Sequence, residues 1–345
     1  MMGVSTWLRS PTVLAAISVG AIGAGLYYLA NDEADIAARM RTPLTPSEVE
    51  LRALATHARE HVAMRDASLF VQSWVPSDCK AIVLLVHGMN EHSGYLERLT
   101  DALLRASYGV YAFDHEGFGR SSGTHALVTD YAALVRDVQA HIALARAAWP
   151  EKKIFLAGCS FGAALIVHTL LDSADGIDGV ILQAPALQLA ANRRPPPLVE
   201  ALVSVLATVA PRLPIVPSNG GKGSSPLVRD AVVAKKRADP LYYSGKVRLG
   251  TAYSVLQTMD GLQTPAATAA FASLTVPLLL QHGTADVVCA LDGSETWFHS
   301  LLRCDDKQLI TYPDACHDLL HEPAPIANAV VTDLVAWLDA RTLGA

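Results

Sequence analysis

Short apolar runs and longer amphipathic stretches alternate along most of the chain. Ala81–Val86, Val110–Phe113, Ile154–Ala157, Gly179–Leu182 and Val276–Leu280 are nearly continuous apolar runs. Such runs predict strands buried on both faces of a parallel sheet. Lys307–Tyr312 predicts a last strand, and Leu69–Val75, partly alternating and rich in aromatic and β-branched residues, predicts an edge strand. Helical stretches of about 10 to 20 residues separate most of the runs, Tyr131–Ala148 among them. Strands that alternate with helices imply an α/β fold with a mostly parallel central sheet flanked by helices. The gap from Leu182 to Val276 is too long for one crossover. It predicts a helical cap inserted at 186–261, between two halves of one domain at 60–185 and 262–345.

The ends of this pattern read differently. Residues 12–30 are 19 positions without a charge. As a helix they would span about 28 Å, near the hydrocarbon thickness of a bilayer. Tyr27 and Tyr28 fall where interfacial aromatics belong. Three readings compete for residues 1–31: a single-pass membrane anchor with the folded domain facing the cytosol, a cleaved signal peptide, or an organellar presequence. Bulky Tyr28 weakens the second, and the absence of acids keeps the third open. Residues 32–59, with Pro43 and Pro46, read as a linker. Within the cap, Ala201–Ala210 carries no charge and is too short to span a bilayer. It either packs on the domain below or presents an apolar face to a membrane surface. Ser218–Ser225 reads as a loose loop, not a phosphate loop, because Val216 stands where G-x-x-x-x-G-K needs its first glycine.

Composition narrows the class. The chain has 345 residues, is 51% hydrophobic and carries a formal charge of −6. One large domain with an insertion fits, and the mild acidity gives no nucleic-acid signature. Five scattered cysteines do not form a disulfide framework, and none of the five asparagines lies in an N-glycosylation sequon. Both features suit a reducing compartment. Nothing in the pattern sets an oligomeric state.

Gly158-Cys159-Ser160-Phe161-Gly162 sits between a strand pattern and a helix pattern. That is the nucleophile elbow, in which a strained turn lifts a serine hydroxyl above the sheet. The hydroxyl needs a base, and the base needs a carboxylate to hold its tautomer. In this arrangement the order is serine, acid, histidine. Asp286 follows the late strand pattern and His317 follows the last one, so the triad expected is Ser160, His317 and Asp286. Asp314 is a weaker acid candidate with a turn role after Pro313, and His321 a weaker base candidate. Phe161 and Met89 should supply the two backbone N–H groups of an oxyanion hole. His317 and His321 stand at i and i+4, but no third ligand suggests a zinc site. This chemistry needs no metal and no organic cofactor.

Further motifs carry a family resemblance from about residue 60 to 342. His87-Gly88-Met89-Asn90-Glu91-His92-Ser93-Gly94 resembles the H-G-x-x-E-H-S-G of monoacylglycerol lipases. Asp114-His115-Glu116-Gly117-Phe118-Gly119-Arg120-Ser121-Ser122-Gly123 resembles their D-H-x-G-x-G-x-S-x-G. Pro185 with Leu187, and Asp239-Pro240-Leu241, resemble the segments that open and close their cap. Asp286-Val287-Val288-Cys289 and His317-Asp318-Leu319-Leu320-His321 match the acid and histidine segments, in family order. The resemblance implies an α/β-hydrolase fold and a serine esterase that cleaves monoacylglycerol to fatty acid and glycerol. It also implies an amphipathic cap facing lipid, and Glu91 beside the glycerol pocket. Cys159 stands where the family carries histidine and is expected to line the substrate site; Cys289, three residues past the acid, either lines it too or is a small buried apolar residue. Lys235-Lys236-Arg237 stands where a cap tyrosine is usual, either as a solvated helix end or as a greeting for phosphate. Lysophospholipase or acyltransferase chemistry on the same site, and a non-catalytic binder with a hydrolase fold, are the alternatives. An epoxide hydrolase or dehalogenase would need a carboxylate in place of Ser160.

Overall fold

The structure, a computed structural model, describes residues 32–190, 193–217 and 222–342. Residues 32–41 form helix α1, and Pro46–Leu51 form α2. An eight-stranded sheet follows in the order β1-β2-β4-β3-β5-β6-β9-β10. Its strands are β1 (Thr56–Met64), β2 (Ala67–Val75), β3 (Ile82–Val86), β4 (Gly109–Phe113), β5 (Ile154–Cys159), β6 (Gly179–Gln183), β9 (Leu278–Gly283) and β10 (Lys307–Tyr312). β1 pairs antiparallel with β2, and β2 with β4; every later pairing is parallel. Helices α3 (Glu97–Arg105), α4 (Tyr131–Ala148), α5 (Ser160–Asp172), α9 (Pro265–Phe271), α10 (Leu291–Ser300) and α11 (Ala324–Thr342) cover the two faces. This is the α/β-hydrolase architecture.

β3 shows why the apolar runs are continuous. Ile82, Leu84 and Val86 enter the core on the α4–α5 side, while Val83 and Leu85 enter the core on the α3–α11 side. Successive side chains point to opposite faces, so a strand covered twice has no polar position to spare. The functional loops follow the carboxyl ends of β3, β5, β9 and β10, where open α/β sheets gather their ligand sites.

Several expectations change. The edge strand is β1, not Leu69–Val75. β1 is polar and mostly exposed, whereas β2 is largely buried between β1 and β4. A charged edge strand discourages stray pairing but leaves no apolar alternation to detect. Residues 32–59 are not a free linker. Arg39 and Glu48 are buried, and α2 has a Thr45–Glu48 capping box. Both residues are buried because they are paired. The cap comprises α6 (Pro197–Val209), the two-stranded β7 (Pro214–Val216) and β8 (Val247–Arg248), α7 (Arg229–Ala238) and α8 (Leu249–Leu262). Met259 and Leu262 of α8 join the main core, so the last cap helix is bonded to the body. A loose loop is expected at 218–225. Its positions 218–221 lie outside the described residues, but Ser224 and Ser225 are buried, and the Ser225 N–H donates to Glu322. The uncharged run at 12–30 also lies outside the described residues. Among the described residues no helix is long and apolar enough to cross a membrane.

Candidate active site

β5 ends at Cys159 and α5 begins at Ser160, with no residue between them. Ser160 takes a φ of +51°, in the left-handed region that non-glycine residues avoid. Glycine on either side makes the turn possible. A Cβ at Gly162 would run into the carbonyl oxygens of Val86 and His87, and one at Gly158 would lie 2.9 Å from the Ala163 nitrogen. The strain thus places the Ser160 hydroxyl at the mouth of the sheet, at the amino end of α5.

Two loops from the far side of the sheet meet it. His317 follows β10, and its Nε2 lies 2.8 Å from Ser160 Oγ. Its Nδ1 lies 2.7 Å from Asp286 Oδ2, in the loop after β9. Asp286 is fully buried and also receives the N–H groups of Val288 at 2.7 Å and Cys289 at 3.0 Å, and His282 Nε2 at 3.1 Å. Burial alone would raise its pKa, but His317, His282 and the Val288 amide outweigh burial and hold the carboxyl below its ordinary range. An ionised carboxylate only accepts, so the proton of His317 sits on Nδ1 and Nε2 accepts from the serine. Burial opposes a second proton on His317; Cys289 and the Asp286 carboxylate oppose that effect and lift its pKa above the ordinary histidine value. Sequence order therefore brings Ser160, His317 and Asp286 into one hydrogen-bonded line. Asp314 does not join it. It takes a φ of +59° in the turn before His317, with its N–H on the Thr284 hydroxyl.

The loop after β3 closes the other side. Glu91 turns back so that its Oε2 accepts the Gly88 N–H at 3.0 Å and the Cys159 thiol at 3.2 Å. Burial and the nearby Asp318 raise the Glu91 pKa. Its carboxyl therefore shapes the segment that carries Met89, besides lining the cavity. Met89, Glu91, Cys159, Ser160 and His317 all line one cavity of about 390 Å³. Phe161 sits in the first turn of α5, where backbone N–H groups have no helical acceptor. Cys289 is buried and is not among the residues that line this cavity; its N–H donates to Asp286 and its side chain adjoins His317.

Lys236, expected as part of the basic cluster, lines the same cavity with three residues the sequence did not single out, Tyr95, Tyr242 and Asp318. Lys236 Nζ lies 2.9 Å from Asp318 Oδ2, and both sit beside the rings of Tyr95 and Tyr242. Asp318 holds the Lys236 pKa up despite burial, and Lys236 with His321 holds Asp318 down, so the pair is ionised and mutually neutral. Lys235 pairs with Glu97 at 2.6 Å. Two members of the expected basic cluster are thus compensated, while Arg237 lines the cavity without an ion pair among the described residues. His321 stacks on Tyr95 with ring centroids 4.4 Å apart and bonds Asp318 at 2.9 Å. Leu319–His321 is a 3₁₀ turn, so His317 and His321 do not share an α-helical face. Among the described residues no cluster could hold a metal ion. The signal for Asp318 was adjacency to His317; Tyr95, Lys236 and Tyr242 meet only through tertiary folding.

Known proteins agree with this architecture. A family model described as "Serine aminopeptidase, S33" (Hydrolase_4) matches residues 77–324. The chain is 31% identical to a human protein named monoglyceride lipase, over 79% of this chain and 88% of that one. It is 29% identical to a monoacylglycerol lipase of Mycolicibacterium smegmatis, over 77% of this chain and 90% of that one. Among solved structures, a Paleococcus ferrophilus monoacylglycerol lipase is similar at a TM-score of 0.68, with 28% identity over 79% of this chain and 99% of that one. A soluble variant of a Saccharomyces cerevisiae monoglyceride lipase shares the fold at a TM-score of 0.73, with 22% identity over 82% of this chain and 95% of that one. The chain belongs to the serine aminopeptidase S33 family of α/β-hydrolases, and its relatives within that family include monoglyceride lipases.

Proposed function

We propose that the chain hydrolyses carboxylic esters of lipids, with monoacylglycerol as substrate and fatty acid and glycerol as products. The observation that carries the reading is one imidazole, His317, bonded on one side to Ser160 Oγ and on the other to Asp286. In this mechanism His317 Nε2 takes the hydroxyl proton as Ser160 Oγ attacks the ester carbonyl carbon. The oxyanion is received by the N–H groups of Phe161 and Met89. Collapse expels glycerol, which takes its proton from His317, and leaves an acyl group on Ser160. Water, activated by the same imidazole, then releases the fatty acid. Apolar lining from Leu189, Val247 and Val288 suits an acyl chain, while Glu91, Tyr95, Lys236 and Tyr242 suit a hydroxylated head. Because Asp318 already neutralises Lys236, that ammonium suits a neutral, hydroxylated head group. The uncharged run at 12–30 supports a single-pass anchor, and the scattered cysteines and lack of sequons suit a catalytic domain facing the cytosol.

The test is a substrate panel on the full chain beside Ser160→Ala. Monoacylglycerol should be cleaved faster than lysophosphatidylcholine or a short p-nitrophenyl ester. Ser160→Ala should lose at least about 10⁴-fold in turnover with an unchanged melting temperature. Faster turnover of lysophosphatidylcholine would move the assignment to a lysophospholipase. Full activity in the serine variant would end it.

A further inference from the structure

Behind the loop that carries Met89 and Glu91 lies a closed ring of five buried residues. Glu48, Gln72, Ser93, Asp114 and Arg120 are each at most 1% exposed. Glu48 Oε1 accepts from Gln72 Nε2 at 3.0 Å and from Arg120 at 2.9 Å, and its Oε2 accepts from Arg120 at 2.7 Å. Gln72 Nε2 also donates to Ser93 Oγ at 2.9 Å. The ring closes through Asp114, whose two carboxylate oxygens accept the Ser93 N–H and the Arg120 N–H, both at 2.7 Å. Glu48 therefore reaches Ser93 by two routes, one through Gln72 and one through Arg120 and Asp114. It also abuts the next residue directly, since a Cβ at Gly94 would collide with the Glu48 carboxylate.

Four members of the ring lie on β2 or in the loops after β3 and β4. Glu48 comes from residues 32–51, which precede both the sheet and the span that matches the family model. That segment is itself fixed. Arg39 donates to the carbonyl oxygens of Gly119 and Ser121 at 2.7 and 3.0 Å, and Arg120 to those of Thr42 and Pro43 at 3.0 and 2.7 Å. The loop it backs is strained. Asn90, the neighbour of Met89, takes a φ of +70°. Such a backbone persists only where its surroundings over-determine it. One anchor is the Tyr243 N–H, which donates to the Asn90 carbonyl oxygen at 3.0 Å; the ring at Ser93 is a second.

We propose that Glu48 is a positioning residue for the oxyanion hole: through Gln72, Arg120 and Asp114 it fixes Ser93, and with it the loop that presents the Met89 N–H. The inference rests on the reading of the chain as an ester hydrolase that uses that N–H. Glu48 does not line the cavity, so it acts on the chemistry only through the loop. The leverage is geometric. A displacement of about 1 Å at a group that meets the reacting atoms can cost about 100-fold in rate. A donor aimed at the oxyanion matters in the transition state more than in the bound ester, so its displacement lowers kcat and spares KM.

The experiment compares the full chain with Glu48→Gln and Gln72→Met, at equal amounts of serine titrated by a fluorophosphonate. Gln72→Met breaks one route to Ser93 and leaves the Glu48–Arg120 pair in place. The readouts are kcat and KM for a monoacylglycerol, and the Ki of a trifluoromethyl ketone. Ser160 Oγ adds to the carbonyl carbon of that ketone, the hydroxyl proton passes to His317, and the carbonyl oxygen becomes an oxyanion facing the hole. Glu48→Gln should lower kcat about tenfold and Gln72→Met about threefold, with KM within about twofold and Ki rising by the factor that kcat falls. Leu338→Ala, which opens a cavity near the end of α11, should lower the melting temperature but leave kcat per titrated serine and Ki unchanged. Wild-type kcat and Ki in the two variants would overturn the proposal, as would a fall in kcat without a rise in Ki. Where Glu48→Gln yields no titratable serine, Gln72→Met alone decides. A wild-type chain that binds the ketone and cleaves no monoacylglycerol would end the ester reading instead, and the Ki values would still test the positioning.

Discussion

Asp286 decides how the imidazole beside it behaves. His317 must be neutral at Nε2 to accept the Ser160 proton, and the neighbouring carboxylate lifts its pKa. Activity should therefore fall as pH drops through that raised value, because the protonated imidazole cannot act as a base. Asp286→Asn should cost about 10⁴-fold in kcat, through loss of the working tautomer. It should also move the acid limb of the kcat/KM profile to lower pH, since the charge that favoured protonation is gone. A limb that does not move would mean that another group sets the profile. At this scale the sequence exposed residues whose role follows from order along the chain: Ser160, Asp286 and His317. It did not expose those whose role follows from where a side chain folds. Glu91 bends back onto Gly88, the Cys289 side chain adjoins His317, and His282 supports Asp286 from β9.

The elbow and the amino-terminal brace, residues 32–51 pinned to the body by the Glu48–Arg120 pair, are two elements built around close approaches. Gly162 lies against the carbonyls that end β3, so Gly162→Ala must push α5 away from the sheet. The expected result is a loss of at least about 2 kcal/mol in urea unfolding, with activity reduced further because Ser160 and the Phe161 N–H move together. The brace depends on the Glu48–Arg120 pair. Removing one partner leaves a buried charge alone, so Glu48→Gln should cost about 3–5 kcal/mol. Burial would raise the Glu48 pKa, but Arg120 and the Thr45 N–H outweigh it and keep the carboxyl below its ordinary value. The stabilisation from that shift is complete above the unfolded pKa and disappears as pH falls through the lower folded one. The stability gap between wild type and Glu48→Gln should accordingly narrow in acid, which denaturant titrations at two pH values would read. Strong periodicity exposed the inner strands and α4, whose expected bounds match the helix observed. β1 and the brace stayed hidden because edge polarity and buried ion pairs look like solvated sequence.

Taken whole, the molecule divides by charge and by surface. An acidic body carries the hydrogen-bonded line at the sheet's carboxyl edge, and a basic, outwardly apolar cap stands over it. Inside the cavity Asp318 neutralises Lys236, which stands with Tyr95 and Tyr242. Lys236→Gln should raise KM for monoacylglycerol several-fold with a smaller change in kcat, because its place is at the head and not at the reacting carbonyl. A fall in kcat with KM unchanged would place the ammonium in the chemical step. The central claim is that Ser160 carries the acyl group during ester cleavage. Acid quenching of the full chain during turnover of monooleoylglycerol, followed by peptide mass mapping, tests it most directly. The account predicts an oleoyl adduct on the peptide that contains Ser160, absent from Ser160→Ala together with fatty-acid release. Release of fatty acid with the adduct on another residue, or undiminished release from Ser160→Ala, would contradict it.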